Sequence, residues 1–420
     1  MKKLVLLGII SVFISANTFA GGFQLNEQGA RAMAMAGAFT GLANDPSAIY
    51  FNPAGITQLR GTNFLAGVTL IMPLATYTAP GNSQTEYEQK SQTFTPVNFY
   101  LTHQITDELS VGLSFNNQYG LGTKWDPTWP GRYLAVNTDV KSYFGTAVVA
   151  YKVLDNLSIS AGAVFAQANV TIEKESPYPA PLPGDFMISL KGDGTAFGFT
   201  GGVLFKPLDN LSIGACYRSE MSFDLSGTAT STPSGFTHPL LHQFLPFPYG
   251  DISAPLTTPQ NATLGLAFQA NDNVTLTADF QYIGWSSYDK LEVTFANYDF
   301  DFNPANGQQN VQSAVRDYKN TFIARVGMEY KISDAFSFRA GLLYDRNPVK
   351  DEFVEPTLPD ADRIGLNIGY GTKIGDNFGL DVSYMLLLFA DRQVSNSTFG
   401  FNGTYKTTAH LFGVNLSYSL

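Results

Sequence analysis

The chain has 420 residues, of which 14% are charged and 14% aromatic, with a single cysteine and a net charge of −10. So little charge beside so many aromatics excludes a disordered chain. Cys216 has no partner for a disulfide framework, the negative balance argues against nucleic acid, and the apolar runs fall short of the roughly 20 residues of a membrane helix.

Residues 1–20 read as a secretory signal peptide. Lys2 and Lys3 precede an apolar stretch from Leu4 to Ile14, and Thr18-Phe19-Ala20 offers small residues at −3 and −1 of a cleavage site. Cleavage removes both lysines and takes the net charge from −10 to −12. Residues 21–60 form a second unit without strand alternation. Gly29 to Ala38 is helix-prone, while Asp45-Pro46-Ser47-Ala48 and Asn52-Pro53-Ala54-Gly55 are turn or helix-start signals. A small unit ahead of a barrel reads as a hatch plugging the lumen, with a periplasmic extension as the alternative.

From residue 61 to 420 one pattern recurs six times: a turn carrying Asp, then strict alternation. Its turns start at Thr106, Leu154, Leu208, Asn271, Ser333 and Gly375. Asp and Asn bond their own backbone and tolerate turn geometry, so each reads as a tight hairpin. After the second turn Leu157, Ile159, Ala161, Ala163 and Phe165 share one face, and Ser158, Ser160 and Gly162 the other. Two strands per turn give twelve. Gly61 to Leu74 and Tyr405 to Leu420 add one each, making an even fourteen. The segments between hairpins are long, as in Ser226 to Thr257 and Ser286 to Asp317. Short turns at one end, long loops at the other and apolar-out alternation predict an all-β fold, a 14-stranded antiparallel transmembrane β-barrel with the hatch inside its lumen. The last strand ends on Leu420 rather than the aromatic residue usual in such barrels, which bears on how assembly machinery reads it.

Two loops are unusually apolar. One holds Leu121, Trp125, Trp129, Tyr133 and Leu134; the other holds Phe236, Leu240, Leu241, Phe244, Leu245 and Phe247. Such clusters read either as an extracellular groove for a hydrophobic ligand or as packing of loop on loop. Parity places Arg218, Arg325, Arg339 and Arg363 on the lumenal side. A short turn at Asp334 sets Glu329 opposite Arg339 as a structural ion pair. Arg325 faces Leu343 and is the candidate for a ligand's carboxylate, with Glu27 and Asp45 of the hatch as rival partners. His238 and His242 lie four apart, but Pro239 stands between them, and His103 and His410 lack catalytic neighbours. No metal, cofactor or enzymatic site is expected.

Several separated segments carry a resemblance. Gly22-Phe23-Gln24-Leu25-Asn26-Glu27, Asn52-Pro53-Ala54, Trp285-Ser286-Ser287-Tyr288, Arg339-Ala340-Gly341 with Tyr344-Asp345, and Pro359-Asp360-Ala361-Asp362-Arg363 occur in order along the mature chain. Together they resemble the FadL-type long-chain fatty acid transporters of bacterial outer membranes. The resemblance implies passive uptake: capture of fatty acids on extracellular loops, transfer to a lumenal pocket, movement of the hatch and sideways exit through the wall. It makes Asn52, Pro53 and Ala54 the hatch motif and brings Phe23 and Leu25 to the lumenal pocket. It puts the wall opening at a kink in the third strand, read as Leu109 to Tyr119, with Gly112, Asn116 and Asn117 as markers; glycine in a barrel strand is more often simply a small inward residue, the other reading of Gly112. It further implies a monomer in the outer membrane of a Gram-negative-type bacterium, with lipopolysaccharide, membrane lipid and the assembly machinery as partners. A channel for neutral aromatic or alkane hydrocarbons is the alternative within transport. A structural or adhesive surface barrel is the alternative outside it.

Overall fold

A computed structural model describes residues 22–81, 85–178, 184–234, 248–300 and 309–420. The expected signal peptide, residues 1–20, lies outside the described residues, as do His238, His242 and Phe236 to Phe247 of the second apolar loop.

Fourteen antiparallel strands close a barrel. They are β1 (Thr62–Thr78), β2 (Glu86–Glu88 and Val97–Gln104), β3 (Leu109–Asn116 and Gly120–Lys124), β4 (Asn137–Leu154), β5 (Leu157–Pro177), β6 (Asp185–Leu208) and β7 (Leu211–Arg218 and Met221–Ser234). β8 (Gly250–Thr258 and Asn261–Gln269), β9 (Val274–Ile283 and Lys290–Phe295), β10 (Val311–Val315 and Thr321–Lys331), β11 (Phe336–Asp345), β12 (Arg363–Ile374), β13 (Phe378–Phe389) and β14 (Gly403–Ser419) complete it. β14 returns to β1 along its whole length, from Asn63 opposite Ser419 to Thr78 opposite Thr404. Closure leaves no free edge for lipid to meet, which is why a spanning sheet must close. All six Asp-bearing turns are hairpins at one end, and the two-residue ones place Leu154 opposite Leu157 and Leu208 opposite Leu211. The chain's last residue reaches the same end, where the Leu420 N–H donates to the Thr62 carbonyl at 2.9 Å.

Period-two alternation sorts the side chains as the sequence predicts. Ile159 and Phe165 of β5 are exposed on the lipid side, while Ser158 is buried inward. Arg325, Glu329 and Arg339 are all buried, on the inner face. The register sets Glu329 opposite Arg339 and Arg325 opposite Leu343.

Inside the lumen sits the hatch. It comprises α1 (Ala30–Ala34), α2 (Ala48–Phe51) and a 3-10 turn, Pro53–Gln58. The helix-prone run ends early because Ala36 and Gly37 take left-handed backbone angles, φ 58° and 76°. Ala32, Met35, Phe39, Ile49 and Ile56 form a dry centre with Leu65, Tyr100 and Val148 of the wall. No helix among the described residues is long and apolar enough to cross a membrane.

Candidate functional site

The body of the hatch is fastened to the wall by buried polar contacts. Arg31 grips Glu329 of β10 with two hydrogen bonds of 3.0 Å, and Glu329 in turn accepts from Arg339 of β11 at 2.5 Å. Arg339 also donates to Asp381 of β13 at 2.6 Å, and Arg31 reaches Asp45 at 3.4 Å. Asp279 of β9 accepts the Phe39 and Thr40 N–H groups at 3.0 and 2.9 Å. The Asn52 side chain accepts from Ala54 N–H at 3.2 Å and donates to the carbonyls of Thr40 and of Val203 on β6. Proline at 53 suits the first turn, where its missing N–H costs nothing, and Pro53 and Ala54 are buried behind Asn52. Charged hydrogen bonds in a buried setting are the strong ones, and several of them join this body to the wall.

The first residues of the hatch are held differently, against a break in the wall. In β3, Asn116 stands opposite Phe144 and Gly120 opposite Lys141. The three residues 117–119 therefore face only Ser142 and Tyr143, the signature of a bulge. Ser142 stitches the irregularity, its hydroxyl bonded to both the N–H and the carbonyl of Tyr119. Beyond the bulge β3 parts from β2 until Lys124, whose carbonyl accepts the Lys90 N–H. Its freed edge is taken by the N-terminal segment: Leu25 N–H donates to the Gln118 carbonyl at 2.8 Å, and Gly120 N–H to that of Phe23 at 3.0 Å. Gly22 N–H donates to Asp360 at 2.7 Å. Gly22 has φ 67°, and a Cβ there would run into the Trp285 ring, so only glycine fits. The Phe23 ring lies edge-on to Trp285 at 4.9 Å, with Tyr119 and Tyr288 on its flanks at 5.9 and 5.8 Å.

Phe23 stands between two cavities. One, of about 400 Å³, lies under the loops and is lined by Leu134, Ile172, Leu225, Leu256 and Phe353 among others. The other, of about 410 Å³, runs from Phe23, Leu25 and Arg363 past Ile71 and Phe94 to Val97, Lys141 and Tyr143 on the outer wall. Phe23, Leu121, Val140 and Leu358 line both. Both volumes lie in the range of sites that enclose a small ligand, and the linings are mostly apolar.

The loop-side cavity carries two cations, Lys174 of β5 and Arg316. Arg316 bonds Glu355 at 2.5 Å, whereas Lys174 has no hydrogen-bond or ion-pair partner among the described residues. At the inner end of the second cavity Arg363 is neutralised by Asp345 at 2.7 Å. Burial pushes the Asp360 carboxyl up to about 7 against the pull of Arg363 and the Gly22 N–H. Burial likewise raises Asp362, to about 8.

The sequence-predicted residues divide accordingly. Leu121, Phe23 and Leu25 line cavities. Trp125 and Trp129, 1% and 3% exposed, stack on each other at 4.3 Å, with their indole N–H groups donated to Pro356 and Ala135 carbonyls. They pack loop on loop instead of presenting a surface. Leu240, Leu241, Phe244, Leu245 and Phe247 lie outside the described residues. Arg325 lines neither cavity; it is buried beside Gly37 and donates to Asn26 at 3.1 Å. Gly112 lies in an unbroken ladder, where its lack of a side chain admits Ile49 of the hatch. Asn116 ends that ladder, and Asn117 opens the bulge, donating to the Ser142 carbonyl at 2.6 Å. Lys174 was open to sequence reasoning, because parity from Leu157 turns every even position of β5 inward. Arg316 and Glu355 lie outside the strands, where parity says nothing.

The sequence profile of a family described as outer membrane protein transport proteins (OMPP1/FadL/TodX) matches residues 11–420. A long-chain fatty acid transport protein of Salmonella typhi is 24% identical over 98% of this chain and 97% of its own. A FadL homologue of Pseudomonas aeruginosa has the same fold, with TM-score 0.79 at 23% identity over 96% of this chain and 100% of its own. The Pseudomonas putida toluene transporter TodX aligns with TM-score 0.71 at 16% identity, covering 93% and 97%.

Proposed function

The chain belongs to the outer membrane protein transport family of OMPP1, FadL and TodX, and on that premise we propose that it admits long-chain fatty acids by passive diffusion. The observation that carries this reading is Lys174, a cation without a hydrogen bond or ion pair in a mostly apolar cavity, which it shares with the Arg316–Glu355 pair and which adjoins a second one reaching the outer wall. An acyl tail gains about 0.8 kcal/mol per buried methylene, so apolar walls bind it without further chemistry. A carboxylate needs a cation where water is scarce, and Lys174, with Arg316 behind it, meets that need.

The path runs from the extracellular loops to the loop-side cavity, past Phe23, and out between β2 and β3. Phe23 and Leu25 are the moving part. They are held by two backbone bonds to the bulge and one to Asp360, while the hatch from Arg31 onward is fixed by ion pairs. Hatch movement is therefore confined to residues 22–27, and cargo leaves sideways instead of through the plug.

The test is uptake of radiolabelled oleate by cells lacking their own fatty acid route and expressing this chain. Uptake that saturates and is lost on Phe23→Glu supports the path. Neutral hydrocarbons of similar length form the second reading, favoured by the pairing of Arg316 with Glu355, which leaves one cation in place of two. If octadecene competes with oleate at equal concentration, that reading prevails. If neither enters, a structural or adhesive barrel is the better account.

A further inference from the structure

The gap between β2 and β3 has a frame. Below, Asn98 pairs with Asn116, and Val97 N–H donates to the Asn117 side chain at 2.9 Å. Above, Gln89 reaches the Gly122 carbonyl at 3.2 Å, and Lys90 N–H donates to that of Lys124 at 2.7 Å. Between these two closures no backbone hydrogen bond joins residues 91–96 to 117–123 among the described residues. The other edge of residues 91–96 is fastened. Phe94 exchanges both backbone bonds with Ile71 of β1, at 2.9 and 2.8 Å, and Pro96 accepts from Thr69. A window thus stands in the wall with one sash hinged on β1.

One side chain occupies the window. Phe94 lines the cavity that reaches the outer wall, and its ring lies on Gly122, where any Cβ would overlap it. Gly122 is a notch that seats the ring. Phe94 is half-buried, touching Gly122 across the unpaired gap while its own backbone stays on β1. An aromatic ring swings about χ1 without breaking any of the backbone bonds named above.

We propose that Phe94 is the shutter of the wall opening and sets the width of cargo that leaves through it. The proposal rests on the transport reading given above. In the closed state the ring spans from Ile71 to Gly122; cargo passes when it turns aside. A slender single chain needs only that turn. A tail bearing a wide ring system needs more room than the frame leaves beside a phenyl group.

The experiment compares uptake of oleate with that of a pyrene-labelled dodecanoate in cells expressing wild type, Phe94→Ala, Phe94→Leu or Gly122→Ala. Phe94→Ala empties the window, and Gly122→Ala leaves Phe94 in place but denies it its seat. Both raise pyrenyl uptake relative to oleate several-fold, with Phe94→Leu between. Heat-modifiable migration on gels reports that each variant is an assembled barrel. A ratio unchanged in Phe94→Ala and Gly122→Ala, in assembled protein that still takes up oleate, overturns the shutter alone. Absence of oleate uptake in wild type overturns the transport reading and the shutter with it.

Discussion

Lys174→Met keeps the length and apolar stem of the side chain and removes its charge. Lys174 projects into the loop-side cavity without a hydrogen bond or ion pair, and Glu355, the carboxylate that acts on it through space, keeps Arg316 after the change. The same cannot be said of Arg316, whose loss would bury Glu355 unpaired. A hydrogen bond to a charged group contributes roughly 1.5–3 kcal/mol. At about 1.4 kcal/mol per decade, oleate affinity should fall roughly 10- to 150-fold. Oleyl alcohol has the same tail without the carboxylate and should bind both proteins alike. The assay is equilibrium titration of purified, detergent-exchanged protein at neutral pH. An oleate affinity that does not change, or an equal loss for both ligands, refutes the assignment of Lys174 to the head group.

Glu329 lies between Arg31 and Arg339. Glu329→Gln removes the carboxylate that Arg31 and Arg339 share while leaving them Asp45 and Asp381, and should destabilise the hatch by roughly 1–3 kcal/mol, read as faster hydrogen exchange in residues 30–36 while the strand core stays protected. Asp360 gives a pH dependence. Burial raises its carboxyl to about 7 from the ordinary 3.8, so between those values the native state binds more protons than the unfolded chain. Stability contributed at low pH is therefore lost as pH rises through that window, levelling above about 7. Asp360→Asn should remove up to about 1.4 kcal/mol per pH unit from that slope, measured by unfolding in detergent between pH 4.5 and 8; a slope the substitution does not alter contradicts the buried-carboxylate account.

The barrel was legible because each of its rules is local. Short Asp-bearing turns and period-two faces fix strands, register and sidedness together, and so Glu329 is found opposite Arg339 and Arg325 opposite Leu343. Places where the chain leaves the period were opaque. The bulge at 117–119 differs from continuous strand by one residue, and Gly112, the more conspicuous signal, turns out to make room for Ile49. Trp125 and Trp129 look like a capture surface in sequence because aromatic loop residues cost solubility when exposed; stacked and buried, they cost nothing of the kind. Arg325 satisfied parity and faced only Leu343 across its hairpin, yet Asp279 of β9 stands opposite it on the other side and the hatch covers it; no local turn rule gives the first, and no strand rule describes how a non-repetitive segment folds into a lumen.

On the proposed route the body of the hatch stays in place while cargo passes beside it and through the wall. A Cβ at Gly413 of β14 would stand 3.4 Å from the Cβ of Ala30, close to the roughly 3.5–4.5 Å of a disulfide. Ala30→Cys with Gly413→Cys, in a Cys216→Ser background, therefore ties the hatch body to the barrel under oxidation. The measurement is radiolabelled oleate uptake by cells carrying the tied protein, before and after reduction. Equal uptake in both states is the result predicted here. Uptake abolished by the tie and restored by reduction would mean that the hatch body must move, and would contradict the sideways route.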